Sequence, residues 1–249
     1  MSDLPRIYAH RGACTLAPEN TIAAFSKALE LGARWIEFDV DVMGDGTLLV
    51  IHDDTLDRTT NGSGSYYSLG YSDLRRLDAG AWFSPTYRFE RIPEAADVIA
   101  FANAHQVNLN LEIKPCYGGE KLRATLLENL LVALEALNGP QLLVSSFDHL
   151  MLANVRRERP DLDLGWLFVR EGQPGPSWQE GAAALGCRAV HPPLEGLTQT
   201  EVEEMRNAGF EVNVWTVNDV EQARELASWG VTGVFSDRIQ DFPPAALAQ

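Results

Sequence analysis

Short runs of β-branched, aromatic and aliphatic residues recur at 7–9, 35–42, 109–113, 142–145, 164–168, 189–191, 211–217 and 233–235, and each run reads as a strand. Between most of them lie helix-length segments with apolar residues three and four positions apart, as at 21–31, 122–137, 200–208 and 220–229. Several helix ends are legible. Asn218-Asp219 precedes the segment 220–229 as a cap, Thr198-Gln199-Thr200-Glu201 has the form of a capping box, and Gly209 and Gly230 mark exits. Strand then helix, repeated eight times, implies parallel strands joined by right-handed crossovers. Eight such units in 249 residues predict an α/β fold of the (β/α)8 TIM-barrel type, in a single domain over 1–249. No Gly-x-Gly-x-x-Gly follows the first strand, so a dinucleotide-binding sheet loses its main support.

One stretch breaks the rhythm. Residues 53–92 are rich in Gly, Ser, Tyr, Asp and Arg and separate the second strand from a helix beginning near Pro93. A strand at 48–51 and a short helix around 72–77 predict a small insertion after the second strand, placed over one end of the barrel and shaping its pocket.

Composition narrows the function classes. Thirty-five acidic against 20 basic residues leave a net charge of −15 with no Lys or Arg run, which argues against nucleic acid and anionic membrane surfaces as partners. No stretch is long and apolar enough for membrane insertion, and no signal-peptide pattern opens the chain. Cys14, Cys116 and Cys187 are odd in number and show no CxxC spacing, which favours a reducing compartment. A cytoplasmic protein is expected, acting as a monomer or homodimer on a small molecule.

In a barrel of this kind the reactive side chains sit at the C-terminal ends of the strands. His10-Arg11 follows the first strand, Glu37 and Asp39 lie on the second, His52-Asp53 closes the extra strand, and Glu112 and Lys114 end the next. Glu37 and Asp39 alternate along a strand, so both face one side with Cα atoms roughly 6.5–7 Å apart. With Glu112 on the neighbouring strand they form an all-oxygen set suited to Mg²⁺ or Ca²⁺ rather than zinc. Carboxylates are often no more than solvated surface, but these two are embedded in Trp35-Ile36-Glu37-Phe38-Asp39-Val40, where unpaired charge is costly to bury. Asp41 continues the stripe and is expected past the rim. Arg11 offers a bidentate fork and Lys114 a point charge, for a phosphate or for salt bridges to the acids. His10 and His52 permit one ring to accept and the other to donate a proton. His105, His149 and His191 lack such company, although His191 ends a strand near the expected pocket.

His10-Arg11-Gly12, Pro18-Glu19-Asn20-Thr21, Glu37-x-Asp39-Val40, Asp45-Gly46, His52-Asp53, Arg58-Thr59-Thr60-Asn61-Gly62 and Glu112-Ile113-Lys114-Pro115 occur in that order. Ser145-Ser146-Phe147, Val214-Trp215-Thr216-Val217-Asn218 and Ser236-Asp237 follow them. The series resembles the glycerophosphodiester phosphodiesterase family, most of all its compact cytoplasmic bacterial members, over nearly the whole chain. That resemblance implies a TIM barrel whose one divalent cation, Mg²⁺ ahead of Ca²⁺ or Mn²⁺, is held by Glu37, Asp39 and Glu112. It makes His10 and His52 the acid/base pair, Arg11 and Lys114 the phosphoryl ligands, and Trp215 a wall against the glycerol or the leaving alcohol. The implied reaction hydrolyses glycerophosphocholine or glycerophosphoethanolamine to sn-glycerol 3-phosphate and an alcohol. The pattern departs from the family where Met43-Gly44 replaces the usual Thr before Asp45 and where Cys14 stands among small residues. Two other readings stay open on the residues alone: a lyase acting on lysophospholipids, and a non-catalytic sensor of phosphate ligands.

Overall fold

The structure is a computed structural model that describes residues 3–172 and 175–249. Eight parallel strands, β1 (Arg6–Ala9), β2 (Trp35–Val42), β4 (Asn108–Ile113), β5 (Leu142–Ser146), β6 (Asp163–Leu167), β7 (Ala189–His191), β8 (Glu211–Val214) and β9 (Gly233–Ser236), pair in sequence, and β1 pairs with β2 to close the ring. A ninth strand, β3 (Leu48–Val50), runs antiparallel on β2. Helices α1 (Ile22–Glu30), α3 (Ala95–His105), α4 (Glu120–Leu134), α5 (His149–Glu158), α6 (Trp178–Ala184), α7 (Gln199–Asn207) and α8 (Val220–Trp229) fill the crossovers, with α2 (Tyr71–Leu74) in the insertion and α9 (Pro244–Leu247) at the end. The (β/α)8 barrel expected from the strand–helix rhythm is the fold.

The caps explain why the helices start where they do. Thr21 accepts from the Ala24 N–H, Asp148 from that of Met151, Thr198 from that of Glu201 with the return bond of a capping box, and Asp219 from that of Gln222. Strand β8 is three residues shorter than the apolar run 211–217 suggests. Beyond Val214 the backbone turns toward the β7 loop, where Trp215 N–H donates to the Pro192 carbonyl and Leu194 N–H to that of Trp215. Val217 lies outside the regular strand but is fully buried, and its N–H still donates to the Phe235 carbonyl of β9 at 2.8 Å.

All eight residues of β2 are buried, and their alternation divides two environments. Ile36, Phe38, Val40 and Val42 join the large core under the helices, whereas Trp35 packs inside the barrel with Tyr8, Leu143, Ala189 and Phe235. Glu37 and Asp39 share the inward face of Trp35 and stand successively higher, toward the C-terminal mouth. An apolar layer around Trp35 thus lies beneath acids that stand nearer the mouth.

The insertion between β3 and α3 has a core of its own, built from Met43, Leu49, Ile51, Leu56, Tyr66, Leu74, Ala79 and Ile92. Asp41 does not lie past the rim. It is buried beneath this insertion and accepts hydrogen bonds from the hydroxyls of Tyr66 at 2.7 Å and Tyr67 at 2.6 Å. Burial pushes its carboxyl up, against those hydrogen bonds. Tyr66→Phe removes one donor to a buried acid, so a loss of about 1.5–3 kcal/mol in unfolding free energy is expected. Denaturant melts would check it; an unchanged midpoint would mean that Asp41 does not anchor the insertion.

Candidate active site

The corner at His10 and Arg11 is formed by a sharp exit from β1. Arg11 takes a left-handed backbone, φ 55°, and Gly12 follows at φ 81°, where any Cβ would lie 2.7 Å from the backbone carbonyl carbon of Ala24. The turn aims the Arg11 N–H at Glu37, whose Oε2 accepts it at 2.8 Å. Asn20, itself left-handed at φ 57°, donates its N–H to the Arg11 carbonyl and its side-chain amide to Asp39 Oδ2 at 2.8 Å. A non-glycine residue costs free energy in this region, and such strain gathers at functional sites.

Strand register brings the acids together. Asp39 pairs laterally with Glu112, and Glu37 with Asn110. Glu37, Asp39 and Glu112 are all buried, and each offers an oxygen within 4.8 Å of the others. Their charge is unevenly answered. Lys114 Nζ donates to Glu112 Oε1 at 2.8 Å and lies 3.4 Å from Asp39, while Arg11 Nε is 3.6 Å from Asp39. Burial raises the Asp39 carboxyl, but Lys114, Arg11 and His52 together outweigh it and hold the group down to about 2. Glu112 is raised by burial despite Lys114. Glu37, among the described residues, has no Lys or Arg side-chain nitrogen within 4 Å, and its one basic neighbour at that range is His10 Nε2 at 4.0 Å. Burial and then its two acidic neighbours push it well above the usual range. Three hard oxygen donors with one carboxylate unanswered fit a divalent cation.

Each histidine is held by a carboxylate. His10 Nδ1 lies 2.6 Å from Asp237 Oδ1, and His52 Nδ1 lies 2.7 Å from Asp53 Oδ1. Asp53 is held well below the usual range first by hydrogen bonds from Arg58. Asp237 is raised by burial, but His10 and Asn218 more than reverse it. An ionised carboxylate only accepts, so each Nδ1 carries the proton and each Nε2 is left for other work. Arg58 also donates twice to Glu19, at 2.6 and 2.7 Å, and Glu19 accepts from Arg11 at 3.0 Å. One ion network therefore ties the His10 corner to the insertion that carries His52. Arg11 Nε within it is buried with no hydrogen-bond partner.

These groups open into one cavity of about 120 Å³ that includes His10, Arg11, Glu37, His52, Glu112 and Trp215 in its lining. Trp215 stands edge-on to Phe147, ring centroids 5.5 Å apart, and its indole N–H donates to the His191 carbonyl. Lys114 lies beside this cavity, its ammonium turned to the acids. His191 does not border the pocket: it is fully buried, and burial alone pushes it down to about 3. Cys116 is buried and its thiol pushed up to about 11 by that burial; Cys14 is raised too, by burial and by Asp237. Neither is a reactive thiolate. Asp237, Glu19, Asn20 and Arg58 have no role in the residue-by-residue reading of the sequence, and Asn218 has only that of a helix cap. The one signal for them is their place in the ordered motif series.

Residues 10–241 match the glycerophosphoryl diester phosphodiesterase family. A glycerophosphodiester phosphodiesterase of Caldanaerobacter subterraneus subsp. tengcongensis is 36% identical over 93% of both chains. One from Bacillus subtilis is 33% identical, covering 92% of this chain and 82% of its own. Among solved structures, an Oleispira antarctica phosphodiesterase in complex with the product sn-glycerol-3-phosphate superposes with a TM-score of 0.89 at 33% identity, over 99% of this chain and 98% of that one. With a family match across nearly its whole length and relatives of this identity and coverage, the chain belongs to the glycerophosphoryl diester phosphodiesterase family and is an enzyme of that class.

Proposed function

We propose that the whole chain acts as one barrel domain that hydrolyses small glycerophosphodiesters, such as glycerophosphocholine and glycerophosphoethanolamine, to sn-glycerol 3-phosphate and the free alcohol. The observation that carries the reading is the convergence of two carboxylate-held histidines on one cavity lined by Glu37 and Glu112, whose oxygens cluster with the buried Asp39, beside an arginine with an unpartnered Nε. Glu37, Asp39 and Glu112 would hold the divalent cation, Mg²⁺ first and Ca²⁺ or Mn²⁺ next. When bound, it supplies positive charge opposite the phosphoryl oxygens.

The chain's own residues do the rest. Arg11 turns its free Nε–H and guanidinium toward the phosphoryl group, and Lys114 balances the acids while adding positive charge beside it. One histidine takes a proton from the nucleophile at Nε2. The other, entering the reaction with a second proton on Nε2, gives that proton to the departing alkoxide, and Asp237 and Asp53 keep both rings in the orientation that allows it. Trp215 and Phe147 wall the organic arm and keep water from that side. The same proposal has the enzyme working in the cytoplasm as a monomer or homodimer, in keeping with three free cysteines, none in a disulfide. Among the described residues no helix is long and apolar enough to cross a membrane.

Metal-stripped protein, assayed for release of the free alcohol, choline or ethanolamine, with Mg²⁺, Mn²⁺ and Ca²⁺ added separately, tests this. The panel comprises glycerophosphocholine, glycerophosphoethanolamine and lysophosphatidylcholine. Turnover should return with a cation and favour the two glycerophosphodiesters. Faster turnover of lysophosphatidylcholine, or none of any diester with any cation, would overturn the reading.

A further inference from the structure

Level with Glu37 in the strand register, the barrel interior carries a further buried polar side chain, Asn110, in the lining of the cavity. It sits on β4 two residues before Glu112, on the same inward face, and opposite Glu37 in the strand register. Its side chain is 1% exposed. The Nδ2 group donates to Ser145 Oγ at 3.0 Å, which fixes the amide plane. The other end, Oδ1, is buried with no hydrogen-bond partner. The cavity it lines carries Phe147, Leu167, Trp215 and Phe235 together with the polar groups of the site, among them His10, Arg11 and Glu37. A buried acceptor left unanswered in its lining disfavours an occupant that cannot donate a hydrogen bond to it.

We infer that Asn110 is a specificity-determining residue: its amide oxygen accepts a hydrogen bond from a hydroxyl of the substrate's glycerol arm, which enters with its carbons against Phe147, Trp215 and Phe235. This rests on the functional reading above. Of the two arms of a glycerophosphodiester, the esterified choline has no donor at all. An ethanolamine arm would have to strip a strongly hydrated ammonium in a pocket whose carboxylates are already committed to a cation. The glycerol arm brings neutral hydroxyls and a carbon chain, which match an acceptor set among aromatic rings.

The test compares glycerophosphocholine with propyl phosphocholine, which keeps the choline arm and replaces both glycerol hydroxyls by hydrogen. Wild-type kcat/KM should favour the glycerol diester by about tenfold. Asn110→Leu should lose about tenfold on it, keep its rate on the propyl diester, and so bring the ratio close to one. By calorimetry the variant should bind sn-glycerol 3-phosphate about tenfold more weakly, with affinity for propyl phosphate and inorganic phosphate unchanged. Ser145→Ala, which frees the amide plane but leaves Asn110 in place, should move the ratio the same way by less, and it carries the test if Asn110→Leu does not fold. A wild type without preference for the glycerol arm, an equal loss on both substrates, or a preference that follows choline against ethanolamine instead would overturn the inference. A wild type that turns over no diester overturns the functional reading, and the calorimetric comparison still decides the role of Asn110.

Discussion

His10→Ala is expected to lower kcat on glycerophosphocholine by roughly a thousandfold while KM and the melting temperature move little. The ring sits at the cavity with Nδ1 donated to Asp237, so its Nε2 is the atom placed for proton transfer, 4.0 Å from Glu37. Its removal leaves the surroundings supported, because Asp237 still accepts from the Asn218 amide at 3.1 Å and its backbone N–H still donates to Asn218 Oδ1 at 2.8 Å. The Arg11 N–H that binds Glu37 belongs to the backbone and stays in place. Asp237→Asn should give an intermediate loss. An amide can present its NH₂ to Nδ1 and so move the imidazole proton to Nε2, the wrong nitrogen for a base. Steady-state kinetics with a thermal melt decide the matter; a His10→Ala variant keeping more than a tenth of wild-type kcat would remove His10 from the chemistry.

Glu37→Gln is expected to abolish cation dependence together with activity, and to do so without destabilising the metal-free protein. Glu37 is the carboxylate the fold leaves unanswered, buried against Asp39 and Glu112 with Arg11 and Lys114 both turned elsewhere. Glutamine keeps the shape and an acceptor for the Arg11 N–H but removes the repulsion, so the metal-free variant should melt at or above wild type. In wild type a cation at a hundred times its Kd adds about 2.7 kcal/mol, roughly 5–10 °C in melting temperature for a chain of this size. Most of that shift should be missing in Glu37→Gln, and turnover should fall by roughly a thousandfold or more. A variant that keeps both the cation-induced shift and the activity would place the cation elsewhere.

The barrel was legible because its strands are short, apolar on both faces and separated by helical periods, a pattern that needs no long-range information. The inward stripe of β2 was legible for the same reason, since alternation alone puts Glu37 and Asp39 on one face. Alternation failed at Asp41, where β2 continues into a hairpin with β3 and the insertion folds over the strand end. Nothing local distinguishes an acid that points into a pocket from one covered by two tyrosines. The partners of the histidines were harder still: Asp237 lies 227 residues from His10, and the Arg58–Glu19–Arg11 link joins segments that only the closed barrel brings together. His191 misled for the opposite reason. Its position at a strand end suits the mouth, but β7 is short and the side chain points into the packed interior against Phe235.

In the proposed mechanism Glu37, Asp39 and Glu112 form a cation site that faces the product's phosphate beside Arg11. Crystals grown with Mn²⁺ and sn-glycerol 3-phosphate, with anomalous diffraction measured at the manganese edge, test it most directly. One strong anomalous peak is expected within bonding distance of all three carboxylates, with the phosphate between it and Arg11. A peak elsewhere, or a phosphate bound away from Arg11 with the three acids uncoordinated, would contradict it.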